Sequence, residues 1–457
     1  MNKRLTIGAS IIVILVLGAI WLHAVPPELF RVGSNYSAKI VCTNVFMVNR
    51  NADEVLNIDV QAPGNPFLKL MKVEVDKAQG VVHANLFGFI GNGLAVYRPG
   101  TGCAAVPDGD IAAARKYQFN PAPMAAPSPE LAWPLGSKMT VNEKVNAVIQ
   151  KDELTGPGVR AVAVISHGHL IAQRYAPGFS ADTPLIGWSM TKTVNAALVG
   201  LQVGAGKLSL EQDHIWPADK TSGGREKIRL ADLLAMSSGL EFNEEYGEVS
   251  DVTRLLYLEP DMAGFVYNKP LQHPVGSVWN YSTGTSVFLS RLWQQSVGAD
   301  SLSFPRTHLF GPLGMSSAFI EADERGTITG GSYMYATAQD WARFGQFLLQ
   351  DGVWNGQRLL PEGYVEMMHS PAPASHGKYG RGQLWLEGPE AKDTGPDANA
   401  DTPYHLPADI YWLLGHDGQI IAIVPSLQLV VVRLGLTPDQ LYYQPQVMVE
   451  KIIAALN

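Results

Sequence analysis

The 457-residue chain carries only two cysteines, Cys42 and Cys103, and only 17% charged residues. It has no basic run or stripe, and 34 basic against 42 acidic residues leave a net charge of −8, which argues against nucleic-acid binding. No serine stands at the centre of a Gly-x-Ser-x-Gly, so the nucleophile elbow of the α/β-hydrolases is missing. His167-Gly168-His169 has no further histidine or acidic ligand at zinc spacing, so no metal is expected, and no organic cofactor is implied. The segment before Asn120 shows neither an internal repeat nor a chemical motif.

Long apolar stretches are also scarce, with one exception. Lys3 and Arg4 precede an almost unbroken run from Leu5 to Leu22, interrupted by Thr6 and Ser10. The run exceeds the ~7–15 residues of a signal-peptide core and falls just short of the ~20 that cross a bilayer comfortably. Leu22-His23-Ala24 makes a poor cleavage site. The expectation is a membrane anchor with its N-terminus in the cytoplasm, a cleaved signal peptide being the alternative. In both cases the rest is exported, to the periplasmic face of the cytoplasmic membrane or into the periplasm. In an oxidising compartment Cys42 and Cys103 are expected to form a bridge rather than a metal site, with two buried thiols as the alternative. A loop of that length would contribute about 4 kcal/mol by restricting the unfolded chain.

Composition divides the chain into residues 1–24 (signal-anchor or signal peptide), 25–120 (N-terminal extension), 121–137 (proline-rich linker) and 138–457 (main domain). In the extension, Leu68 to Val75 and Gly80 to Phe87 read as strands, and Gly91-Asn92-Gly93 and Pro99-Gly100 as turns. Pro121, Pro123, Pro127, Pro129 and Pro134 predict a stiff, extended linker. Beyond it, Asn142 to Gln150 suits a helix, and Val159 to Ser166 and Leu170 to Tyr175 suit a hairpin turning at His167-Gly168-His169. Helices are predicted at Ile228 to Met236, Val287 to Gln295 and Ala338 to Leu349, strands at Ile410 to Leu414, Gln419 to Val424 and Leu429 to Leu434, and a closing helix from Pro445 to Leu456. The implied fold is mixed α/β (α+β), with a sheet built from both ends of the domain and a mainly helical region inserted between them.

Chemistry concentrates at Trp188-Ser189-Met190-Thr191-Lys192, which runs into a stretch of good helix formers. Residues three apart share a helix face, so Lys192 can reach the Ser189 hydroxyl. A helix start also favours developing negative charge. These are the parts of an acyl-transfer nucleophile, whose hydroxyl needs a nearby base. The pattern is weak alone; Ser375-His376-Gly377-Lys378 repeats it in a Pro/Gly-rich run with no helix behind it.

Two further patches change the weight of that pattern: Trp279-Asn280-Tyr281-Ser282-Thr283-Gly284 and Gly415-His416-Asp417-Gly418-Gln419. Together with Leu233-Leu234-Ala235-Met236-Ser237-Ser238-Gly239-Leu240 and the run from Tyr335 to Gly345, they make residues 138–457 resemble the serine β-lactamase-related hydrolases. That family includes class C β-lactamases, D,D-peptidases, esterases and 6-aminohexanoate-dimer hydrolases, and the last look nearest because they too carry a cysteine-bearing N-terminal extension. The resemblance implies a β-lactamase/transpeptidase-like fold, an antiparallel sheet flanked by helices. It implies Ser189 as nucleophile, Lys192 as the group sharing its proton and Tyr281 as general base or proton shuttle. It also implies an oxyanion hole from the backbone N–H groups of Ser189 and Gln419, with Thr283, His416, Asp417 and Gly418 as substrate-binding positions.

Lysine and tyrosine ordinarily titrate near ~10, so each serves only if its pKa falls; a charged lysine beside the phenol is expected to favour tyrosinate. The sequence departs from the family where Thr283 replaces an asparagine and His416 a lysine. Losing that positive charge disfavours β-lactam carboxylate recognition and turns the expectation to a small-molecule or short peptide-like ester or amide. A β-lactamase or D,D-peptidase, and a non-catalytic envelope-binding protein, are the competing readings. Trp188, Tyr379 and Trp385 are candidate pocket aromatics, and Glu241, Glu244, Glu245 and Glu248 read as a solvated loop.

Overall fold

Apolar side chains on both faces of the C-terminal strands demand cover on both sides, and the computed structural model supplies it. It describes residues 3–61, 65–216, 223–392, 394–395 and 398–456; the outermost residues of the predicted 1–24 and 138–457 segments lie outside that set.

The chain opens with helices α1 (Lys3–Ala24) and α2 (Glu28–Phe46). Ile7, Ile11, Ile12, Ile14, Leu17 and Ile20 are all more than half exposed, whereas Leu22 near the end of α1 packs against Met71, Leu86 and Ile90. Among the described residues no single helix is long and apolar enough to cross a membrane, although α1 and α2 pass such a test as a pair bent by 60°. Most of α2 is instead buried within the protein. Sequence reading missed this helix because its inward residues are largely small or polar: Ser34, Asn35, Ser37, Lys39 and Thr43 break the apolar stripe.

Helix α2 packs on a four-stranded antiparallel sheet of β1 (Met71–Asp76), β2 (Val81–Leu86), β3 (Ile90–Arg98) and β4 (Gly102–Ala105). The expected turn at Gly91-Asn92-Gly93 lies inside β3. A Cβ on Gly93 would meet the Ser34 carbonyl at 2.3 Å, and one on Gly91 the Ser34 hydroxyl at 2.0 Å. These glycines let the helix backbone approach the strand rather than bend it. Cys42 of α2 and Cys103 of β4 form a disulfide across that contact.

The extension is joined to the main domain by buried polar groups. Lys39 of α2 pairs with Glu321, whose carboxylate also accepts from Thr43 Oγ1 (2.9 Å) and from the Cys103 N–H (2.7 Å). Arg98 donates to the carbonyls of Asp323 (2.7 Å) and Ala322 (2.6 Å). The first half of the linker has no regular secondary structure. Its second half pairs β5 (Ser128–Ala132) with β6 (Gly136–Lys138) because Trp133 is buried and Arg343 binds the carbonyls of Pro134 and Gly136.

In the main domain, helix α3 (Glu143–Ile149) is capped by the Asn142 side chain. The hairpin of β7 (Val159–Ser166) and β8 (His169–Tyr175) turns at His167-Gly168, both with positive φ. The next long helices are α4 (Thr191–Gly204), α5 (Thr283–Val297) and α6 (Ala338–Leu349). Strands β9 (Tyr411–Gly415), β10 (Gln419–Val424) and β11 (Leu429–Gly435) follow, then α7 (Pro445–Leu456). The sheet order is β9-β10-β11-β7-β8, every pair antiparallel. Period-two alternation sends Val162, Val164 and Val431 to the face covered by α3 and α7. Ala163, Ile165 and Val432 go to the face under α6, where Gly345 admits Val430. The region from α4 to α6 is mainly helical, as predicted.

Candidate active site

Ser189 lies in a short 3-10 turn, Trp188–Met190, that leads into α4. Trp188 before it has φ +46°, a left-handed backbone that costs a bulky residue free energy and that clusters at functional sites. Two close approaches hold this turn. A Cβ on Gly187 would overlap the Trp341 ring at 2.2 Å, and one on Gly415, at the end of β9, would meet the Gly187 carbonyl oxygen at 2.2 Å. The sheet edge therefore presses directly on the loop that carries the serine.

One turn into α4, Lys192 is fully enclosed, with its Nζ donating to Ser189 Oγ (3.0 Å), Thr283 Oγ1 (2.9 Å) and the Gly331 carbonyl (3.0 Å). Burial lowers its pKa to about 8, and the Glu244 carboxylate opposes that fall. The three contacts decide where a neutral lysine points its lone pair. The Gly331 carbonyl can only accept. The Thr283 hydroxyl spends its one hydrogen on Glu244 Oε1 at 2.5 Å, so toward Lys192 it too accepts. Ser189 is thus the one of the three contacts left to donate.

Glu244 is the residue that sequence reasoning dismissed. It accepts from the Thr283 N–H at 2.8 Å as well as from its hydroxyl, and it borders the cleft lined by Ser189 and Tyr281 instead of standing in solvent. Burial pushes its carboxyl pKa up, while Lys192 and the Thr283 bonds pull it down. The segment bearing it is fixed beneath the Tyr281 loop, where the Asn280 side chain donates to the carbonyls of Phe242 (3.1 Å) and Leu240 (3.4 Å). No local signal marks Glu244, since its partner is 39 positions away.

Tyr281 sits one residue before Ser282, the N-cap of α5, whose side chain accepts from the Thr285 N–H at 3.0 Å. Tyr281 lines the same cleft as Ser189, and its ring lies 4.7 Å from Lys192 Nζ. Burial first, and Glu244 second, raise the phenol well above its ordinary pKa. The expected tyrosinate is therefore corrected: an enclosed phenol beside a carboxylate stays neutral, and the group whose pKa falls is the lysine.

The cleft is a 420 Å³ cavity bordered by Ser189, Glu244, Tyr281, Trp385, His416 and Gln419. Gly418 also borders it, so of the four expected substrate-binding positions His416 and Gly418 line the cleft. Two expected substrate contacts do not. Thr283 is enclosed behind Lys192 because both sides of its hydroxyl are taken. Asp417, at φ +59°, lies on the far side of its turn and borders neighbouring cavities instead. The Gln419 side chain is turned away, donating to the carbonyls of His416, Asp417 and Gly435. Trp385 stacks obliquely on Tyr281 with centroids 5.4 Å apart, whereas Tyr379 is buried behind them. The second Ser-x-x-Lys does not assemble: Ser375 bonds backbone carbonyls and Lys378 pairs with Glu390.

An antiparallel five-stranded sheet between helical layers, with a serine, an enclosed lysine and a tyrosine at its edge, defines the β-lactamase/transpeptidase-like class. The family model described as Beta-lactamase matches residues 151–436, and the chain belongs to that family, made up mostly of serine hydrolases. Solved structures share the fold. A Bacillus anthracis protein provisionally assigned as a 6-aminohexanoate-dimer hydrolase aligns at 18% identity and TM-score 0.54, covering 74% of this chain and 89% of that one. A family VIII carboxylesterase aligns at 15% identity and TM-score 0.53, covering 72% and 99%. A penicillin-binding protein homologue from Caulobacter crescentus aligns at 16% and 0.52, covering 68% and 97%. An uncharacterised protein of Alkalihalophilus pseudofirmus is 28% identical over 103 residues, 22% of this chain and only 29% of that relative's length.

Proposed function

We propose that this protein is an exported serine hydrolase that cleaves an ester or simple amide through an acyl-Ser189 intermediate. The observation that carries the reading is the enclosed Lys192, pKa about 8, whose neutral lone pair has only Ser189 O–H to accept from among its three contacts. As Ser189 Oγ attacks the carbonyl carbon, Lys192 takes its proton. The N–H groups of Ser189 and Gln419 receive the oxyanion, each worth about 3–4 kcal/mol in such sites. Neutral Tyr281 passes its proton to the leaving group and takes back the one Lys192 drew from Ser189, so both groups end neutral. Water then attacks the acyl carbonyl, gives its proton to Lys192, and the Ser189 oxygen leaves with a proton by the same relay.

His416, a half-buried imidazole stacked on Tyr246 (centroids 4.9 Å apart), supplies no fixed charge for a β-lactam carboxylate, which supports the ester or amide preference. The exposed apolar surface of α1, the basic residues Lys3 and Arg4 at its start and the Cys42–Cys103 bridge support export and tethering at the outer face of the cytoplasmic membrane. A hydrolysis screen across p-nitrophenyl esters, 6-aminohexanoate dimers and nitrocefin tests the function. Turnover of the first two that vanishes in Ser189→Ala is expected; fast nitrocefin turnover without ester or amide hydrolysis would overturn the substrate preference. Wild-type rates in a folded Ser189→Ala would end the proposal.

A further inference from the structure

A second cavity, of 630 Å³, adjoins the catalytic cleft. Leu29, Phe30, Phe67 and Met71 of the N-terminal extension form one wall, and Trp188 and Tyr257 of the main domain stand opposite. Tyr246, His416, Pro438 and Asp439 border both cavities, so the two lie side by side with the Tyr246–His416 stack between them. Trp188 is the residue immediately before the nucleophile, and its ring meets His416 edge-on at 5.9 Å. A chain lying in this groove therefore ends beside Ser189.

The far end is apolar and open. Phe67 is 48% exposed there. Exposed Leu70, Phe87 and Phe89 continue the apolar rim, tied together by the Phe87 N–H to Leu70 carbonyl bond (3.0 Å). The His23 ring at the end of α1 bonds the Phe89 carbonyl at 2.7 Å, so the rim runs on to α1, where Leu17, Ile20 and Trp21 are exposed. A concave site of this size, lined by Leu29, Phe30, Phe67, Met71 and Trp188 with Asp59, Asn65 and Glu248 among them, has the mix of apolar wall and polar groups that suits an amphiphile. An apolar surface left open in this way gains stability when covered.

We propose that this groove holds a linear aliphatic chain of the substrate, so that the bond cleaved at Ser189 is the ester or amide of a long-chain amphiphile entering from the side of α1. The inference rests on the acyl-serine reading for its chemistry but not for its binding. The groove serves whichever side of the scissile bond bears the chain, and two series separate them: p-nitrophenyl esters of increasing acyl length, and butyrate esters of increasing alkyl length.

In one of the two series kcat/KM is expected to climb by about three- to fourfold per added methylene, the ratio that full burial of a methylene carries, until the groove is filled. Leu29→Trp fills the groove and Phe67→Asp makes its exposed mouth polar. Each should cut the long-to-short rate ratio at least about tenfold, on the same methylene scale, while p-nitrophenyl acetate turnover stays at the wild-type rate. Flat series in the wild type, or slopes that both variants leave unchanged, would overturn the groove while acetate turnover upheld the hydrolase. A separate measurement needs no catalysis: calorimetric binding of dodecanoyl amide to folded Ser189→Ala. Saturable binding lost in Leu29→Trp is expected, and absence of binding would refute the proposal whatever the fate of the serine mechanism.

Discussion

Replacing Glu244 by glutamine removes a charge from the site while keeping an acceptor for the Thr283 N–H and a polar partner for its hydroxyl. Glu244 Oε1 and Lys192 Nζ meet the same Thr283 Oγ1 at 2.5 and 2.9 Å, which places the two charges about 5 Å apart. At an effective dielectric of about 20, unit charges at that separation attract by about 3 kcal/mol, or about two pH units. Solvent reaching the part-exposed carboxylate reduces this by about half. Glu244 opposes the burial-driven fall of the Lys192 pKa, so its removal lets that pKa drop further, from about 8 toward about 7. The lysine works as a base when neutral, so the rate rises as pH climbs through its pKa. The acid limb of the kcat/KM profile for p-nitrophenyl butyrate should therefore shift down by about one pH unit. Above both midpoints the plateau should fall by less than about tenfold, because the lysine becomes a weaker base. A limb that stays in place, or moves up, would refute the coupling between Glu244 and Lys192.

Other outcomes follow from the same geometry. Tyr281→Phe removes the leaving-group relay and should slow amide hydrolysis by about 10²–10⁴; p-nitrophenyl esters, whose leaving group needs no proton, should suffer much less, and equal losses on both substrates would contradict the relay. Gly415→Ala drives a Cβ to within 2.2 Å of the Gly187 carbonyl oxygen, so it should displace the Ser189 turn and lower kcat/KM by about 10², along with about 1–3 kcal/mol of unfolding stability in urea titrations; wild-type kcat/KM would contradict the contact. The double substitution Cys42→Ser/Cys103→Ser opens a bridge between residues 61 apart and should lower unfolding stability by about 4 kcal/mol in urea titrations under oxidising conditions, while acetate turnover at 25 °C persists.

The sequence was informative where one physical signal dominated. Helix Ala338–Leu349 and strand Gln419–Val424 fall where apolar periodicity puts them, and the helix expected from Asn142 to Gln150 forms over Glu143–Ile149. The order of the three motifs also led to Ser189, Lys192 and Tyr281, which the fold brings together. What could not be read depended on contacts between distant segments. Helix α2 hides Lys39 and Thr43 against Glu321, a partner 282 and 278 positions away, so its burial is invisible in its own pattern. Gly91 and Gly93 have turn-like composition, yet they serve the approach of α2 to a strand. Glu244 shares a run with solvated glutamates and differs only through Thr283. The direction of the Tyr281 pKa was misjudged because enclosure outweighs the neighbouring lysine.

The account stands or falls on whether Ser189 becomes acylated. Treating the full-length protein with a fluorophosphonate at pH 8 and mapping the adduct by peptide mass spectrometry tests this directly. One adduct per chain is predicted, on the peptide containing Ser189, absent in Ser189→Ala and much slower in Lys192→Met. No adduct, or an adduct at Ser375 with Ser189 untouched, would contradict the account.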